Sequence, residues 1–185
     1  MDIAGIIAAK QPRRETVTVI LDADIELALT AAEQAVDAAR NRLLVPKLNP
    51  AAPAALGAAQ AELDRLRADA EAVSARFVFQ AVGRQRFSDL RGEHPPTKEQ
   101  RTEWTARWLK AGVAEHQIPE LEHNPDTFPP VLLAAACIEP EMTLGDATGI
   151  WCSAGWSDAE LAELFGAALA VNTQHRRHDL GNSSR

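Results

Sequence analysis

Two periods of apolar residues organise this chain. Over residues 15–21, ETVTVIL, Val17, Val19 and Leu21 alternate with Thr16, Thr18 and Ile20. Period two and β-branched side chains suit a pleated, half-buried surface, so the run predicts a strand. Asp22 and Asp24 follow it. Their carboxylates can accept from the free N–H groups of a first helical turn, which predicts a helix start. The period then lengthens, with Leu29, Ala32, Val36, Ala39 and Leu43 spaced 3-4-3-4. Residues 45–54, VPKLNPAAPA, carry three prolines and predict a loop. A second seam follows at Leu56, Ala59, Leu63, Leu66, Ala70 and Val73. Two helices of roughly twenty residues joined by a proline loop predict an antiparallel hairpin about 30 Å long. Residues 76–82, RFVFQAV, return to a strand with Phe77, Phe79 and Ala81 on one face. The hairpin brings its two ends together, so these strands predict a small two-stranded antiparallel sheet at its base.

The pattern changes at Gly83. A short helix is expected around residues 87–91, stopped by Gly92, Pro95 and Pro96. Thr97 with Gln100 has the capping-box spacing, and that helix places Trp104 and Trp108 on one face before Gly112. Residues 115–126 read as a polar, irregular linker, and residues 128–138 as one apolar helix closed by Glu139-Pro140. Thr143 with Asp146 and Ser157 with Glu160 start two more helices. Leu161, Leu164, Phe165, Ala168 and Leu169 form the buried stripe of the last. The expected fold is mainly α (α+β), with the small sheet, the helical hairpin and a compact C-terminal helical domain. The expected divisions are a segment 1–14, a strand–hairpin–strand unit 15–82, a helical domain 83–172 and a flexible polar tail 173–185.

Composition sharpens this division. Of the 185 residues 35 are alanine, and 18 of those lie between Ala23 and Ala75. Alanine favours helix but contributes little burial, so the hairpin seam is thin. The core must gather around the five Phe and four Trp. A formal net charge of −7 argues against a general nucleic-acid binder and against an anionic membrane surface. Charge is also uneven along the chain. Residues 84–110 hold seven basic and four acidic side chains, whereas residues 111–174 hold ten carboxylates and no Lys or Arg. The C-terminal half is therefore expected to present an acidic surface, either solubilising or suited to a basic partner helix. No stretch reaches the roughly 18 apolar residues of a membrane span, and the N-terminal charges follow the short apolar run, unlike a signal peptide. An intracellular, reduced protein is expected.

Groups with candidate chemistry are few. Cys137 and Cys152 sit in apolar stretches and make neither a disulfide framework nor a four-ligand zinc site. His175 and His178 are three apart but separated by two arginines in the polar tail. Glu139 and Glu141 flank a proline and read as a helix-ending turn before they read as a catalytic pair. Ser153-Ala154-Gly155 lacks the glycine pattern of a nucleophile elbow, and neither a P-loop nor a GxGxxG is present. The expectation is a protein that is not an enzyme, with no cofactor and no metal.

Three segments carry a resemblance. Residues 77–100, FVFQAVGRQRFSDLRGEHPPTKEQ, resemble the middle part of tail assembly chaperones from long-tailed phages of actinobacteria. Residues 128–151, FPPVLLAAACIEPEMTLGDATGIW, and 156–172, WSDAELAELFGAALAVN, resemble the C-terminal part of the same family. The matching features are packing and turn patterns over roughly the C-terminal half, and residues 1–75 carry no matched motif. The resemblance implies a chaperone encoded upstream of the tape measure gene. Such a protein coats the helical, aggregation-prone tape measure protein in the host cytoplasm, without ATP, while tube subunits assemble. It further implies a frameshifted long form of the same chain and the tail tube protein as additional partners, with a homo-oligomer open. A binder of helices needs a groove with an apolar floor. Trp151, Trp156 and Phe165, rimmed by Glu139, Glu141, Asp158, Glu160 and Glu163, are the candidate partner-binding residues, although the three aromatics read as core first. The alternative is a structural phage component, a head–tail connector or tail completion protein, using the hairpin as a docking arm.

Overall fold

The computed structural model describes residues 2–44 and 50–174. Part of the proline loop, and most of the expected tail with His175 and His178, lie outside the described residues. Among those described, the protein is mainly helical with one small antiparallel sheet. The chain divides into two units, residues 18–76 and residues 1–17 with 77–185. The division falls within the two long strands, so the N-terminal segment groups with the C-terminal helices instead of standing apart.

The unit 18–76 is built on α2 (Ala23–Leu43) and α3 (Ala52–Ala72), the expected hairpin. Asp22 caps α2 as anticipated, its Oδ1 accepting from the N–H groups of Asp24 at 3.0 Å and Ile25 at 3.2 Å. Helix α3 begins earlier than the prolines suggested, with Pro53 in its first turn. There a missing N–H costs nothing, because no carbonyl four residues back awaits it. Ala32, Val36, Leu63 and Leu66 form the seam, with Ala28, Leu29, Leu56 and Ala59 packed against them. Outside the seam, Arg65 bridges Glu62 and Asp69 at 2.6 Å each. These pairs are exposed and contribute little beyond local helix order.

The second unit opens with α1 (Ile3–Ala9), which the sequence reading did not anticipate. Asp2 caps it through Oδ1, accepting from the Gly5 N–H at 2.8 Å. Three strands follow in the order β1 (Arg14–Ile20), β2 (Ser74–Gln80), β3 (Cys137–Glu139). The third strand corrects the sequence expectation at residues 128–138. Helix α6 (Phe128–Ala136) ends early, and Val78 pairs with Glu139 and Phe79 with Cys137. Glu139 precedes Pro140, which disfavours helical backbone there, and the distant strand β2 supplies the partner with which the segment pairs. With β3 on one side and β1 on the other, β2 is the central strand. Phe77, Val78 and Phe79 are all buried, so the alternation expected of a strand with one wet face is lost.

Helix α4 (Arg84–Glu93) runs longer at both ends than the short helix expected. It starts from Gly83 at φ 88°, a left-handed conformation open to glycine, and passes through Gly92. Helix α5 (Lys98–Lys110) has the anticipated Thr97–Gln100 capping box. Helices α7 (Leu144–Cys152) and α8 (Asp158–Thr173) likewise begin at Thr143–Asp146 and Ser157–Glu160 boxes. The unit closes on Phe79, Phe128, Leu132, Leu133, Ala147, Leu164 and Ala168, each with no measurable exposure. No helix of the described residues is long and apolar enough to cross a membrane.

Candidate functional site

The three aromatics expected to floor a groove belong to packing clusters. Phe165 on α8 meets Trp151 of α7 edge-on at 6.1 Å and the fully buried Phe128 of α6 at 6.1 Å. Phe87 of α4 extends the cluster onto Phe128, also at 6.1 Å. Trp156 lies apart from this group, edge-on to Phe77 of β2 at 6.1 Å. Rings at these separations and angles are attracted through their quadrupoles and pack α4, α6, α7, α8 and the sheet together. Trp151, Trp156 and Phe165 are all half-buried, and they form no continuous exposed floor.

His123 sits inside the cluster, its ring 4.6 Å from Phe128 and 5.5 Å from Phe165. Burial holds its imidazole below the usual histidine range. The neighbouring Glu122 opposes this and Arg91 reinforces it. A histidine whose folded pKa lies below its unfolded value binds fewer protons folded than unfolded. Its stabilising contribution is full above about pH 6.5 and declines as pH falls from there through the folded pKa. Urea unfolding midpoints are therefore expected to fall as the pH drops below about 6.5, and His123→Phe to flatten that slope. An unchanged slope in the variant would remove His123 as its source.

The linker expected to be irregular is pinned by a polar network. The Gln100 amide donates to Asn124 Oδ1 at 3.0 Å and to Asp126 Oδ2 at 2.8 Å, and the Asn124 N–H donates to the His94 carbonyl at 2.8 Å. The Trp104 indole N–H donates to the Pro119 carbonyl at 2.8 Å. Arg91 meets Glu122 at 2.6 Å. At the far end, Asn172 Oδ1 accepts from the Val82 N–H at 3.0 Å and ties the last turn of α8 to the chain leaving β2. Sequence reading missed that role, and the only trace of it was the Val-Asn close of the final segment.

The carboxylates of the expected rim, taken together with Asp146, separate into two groups. Asp146 and Glu160 are committed to capping, each accepting from both the hydroxyl and the backbone N–H of its cap residue. Hydrogen bonds from Thr143 and Ser157 hold these carboxyls below the usual carboxylate range. Glu160 thus has a structural role in starting α8. Glu139, Glu141, Asp158 and Glu163 are exposed. Glu139 and Glu141 lie on the turn that closes β3, where Ile138 bridges back to Glu141. Beside them Ile138 is 39% and Leu144 53% exposed, two large apolar side chains next to carboxylates. This β3–α7 turn is the best candidate for a partner-binding surface: apolar contact with carboxylates in the turn and, beside Ile138, Arg86 in the wall of a hollow of about 420 Å³.

Two concave regions are less suited to an apolar helix face. The groove between α2 and α3, about 540 Å³, is lined by Glu33, Asp37, Asp64, Arg40 and Arg67 as well as seam residues. A hollow of about 350 Å³ between α5 and residues 115–121 has Trp104, Ile118 and Leu121 in its wall, with Arg101, Glu115 and Glu120 beside them. Cys137 is buried and its thiol is pushed up by that burial, while Cys152 is exposed. Among the described residues no group of three His, Cys, Asp or Glu side chains is placed to hold a metal. No protein-family model, curated protein or solved structure matches this chain.

Proposed function

We propose that this chain is a tail assembly chaperone of a long-tailed phage, binding the tape measure protein as a helical client, without nucleotide hydrolysis, before the tail tube encloses it. The segments 77–100, 128–151 and 156–172 support the family reading through their resemblance. One structural observation supports the mode of binding. The β3–α7 turn exposes Ile138 and Leu144 beside Glu139 and Glu141, within a stretch from residue 111 to 174 that has no Lys or Arg. A helix with an apolar stripe and flanking Lys or Arg side chains is complementary to such a surface. Charge there would act chiefly on encounter rate and partner choice, and apolar contact on residence.

The composition of purified particles tests this reading against a connector or tail completion protein. A chaperone is present in lysates with the tape measure protein and absent from mature particles. A fixed copy number of this chain in mature particles would overturn the chaperone reading in favour of the structural one.

A further inference from the structure

The outer edge of β1 is an open ladder. In the sheet order β1-β2-β3 it is a terminal strand, and among the described residues no strand lies beyond it. At the opposite edge the chain makes one bridge to itself, Ile138 of β3 with Glu141. Immediately before and after β1, the Arg13 carbonyl accepts from the Ala81 N–H and the Leu21 N–H donates to the Val73 carbonyl. Odd-numbered residues therefore face β2. By the period of two, the N–H and C=O groups of Arg14, Thr16, Thr18 and Ile20 point outward. Natural edges of this length are usually blunted by a proline, a central charge or a bulge. From Thr16 to Ile20 the sequence is TVTVI, with neither proline nor charge.

We infer that this edge pairs with the same edge of a second copy, antiparallel about a two-fold axis at Thr18. That register sets Thr18 against its own copy, Thr16 against the copy's Ile20, and Arg14 against the copy's Asp22. All are outward-facing positions, and the last is a complementary charge pair made twice. Asp22 uses Oδ1 to cap α2, which leaves Oδ2 for the guanidinium. Arg14 is held above the strand by its Nε donating to Gln80 Oε1 at 2.9 Å, which leaves its terminal nitrogens free to meet that oxygen. A register centred on Val17 sets Pro12, which lacks an N–H, against Asp22 and removes the charge pair. A register centred on Thr16 sets Pro12 against Ile20. The Thr18 register alone keeps both the ladder bonds and the charge match. This inference does not depend on the client reading.

Sedimentation of the full chain at micromolar concentration, with Cys152→Ser to silence the exposed thiol, tests it. The expected result is a dimer that Thr18→Pro and Thr18→Lys each reduce to monomer with unchanged circular dichroism. The outward N–H of Thr18 is not used within the sheet, so proline there is compatible with the strand. Thr18→Cys in the same background is expected to cross-link to its own copy on mild oxidation. A monomeric parent chain, a dimer that survives Thr18→Lys, or a dimer that Thr18→Cys does not cross-link would each overturn the proposal.

Discussion

Phe128→Ala is expected to destabilise the fold by about 3–5 kcal/mol, the range for removing a buried aromatic ring. Phe128 has no measurable exposure and touches the rings of Phe87, His123 and Phe165. Its loss opens a cavity where α4, α6 and α8 meet. A domain of ordinary stability has about 5–15 kcal/mol in total, so the variant sits near its unfolding threshold. Urea unfolding at neutral pH measures the effect. Leu109→Ala, at a position 48% exposed, is the control and is expected to change stability by less than about 0.5 kcal/mol. A loss below about 1 kcal/mol for Phe128→Ala would mean that the aromatic cluster does not close the core.

If the proposed client is the tape measure protein, Glu141→Lys combined with Glu163→Lys is expected to weaken its binding roughly tenfold at low salt, about 1.4 kcal/mol. Each reversal replaces a modest attraction with a repulsion of similar size, and exposed pairs are worth about 0.2–1 kcal/mol each. The effect should appear mainly in the association rate and shrink as salt screens it. Both residues are exposed and neither belongs to a capping box, so the unfolding midpoint should be nearly unchanged. Asp146 and Glu160 are unsuitable for this test, because changing them also removes a cap. Equal affinity for the variant and the parent chain would remove the acidic surface from the binding account.

Much of the fold could be read from local chemistry. The hairpin seam, the Asp22 cap and the three capping boxes each depend on residues within one or two turns of one another, and the structure has all of them. The elements misread depend on distant partners. Cys137-Ile138-Glu139 looks like the end of an apolar helix until Val78 and Phe79 are there to pair with it. Phe77, Val78 and Phe79 are buried together, and the register of β2 against β3 shifts between Val78 and Phe79, an irregularity that the strand's own sequence does not announce. The candidate surface shifted for the same reason. Trp151, Trp156 and Phe165 are conspicuous by residue type, yet their neighbours are other rings of the core. Ile138 and Leu144 drew no notice in the sequence, where any apolar residue in an apolar run reads as buried. The acidic bias of residues 111–174 was plain from composition alone. The structure adds that some of those carboxylates are occupied in caps and others face solvent.

Direct binding between the purified full chain and the proposed client, a phage tape measure protein, is the closest test of the proposed function. In a pull-down with the co-expressed proteins, the expected result is a complex that keeps the tape measure protein soluble. Adding Ile138→Asp with Leu144→Asp is expected to release it while leaving the unfolding curve in place. A tape measure protein that stays aggregated beside the folded chain, or a complex indifferent to changes at Ile138, Leu144, Glu141 and Glu163 together, would contradict it.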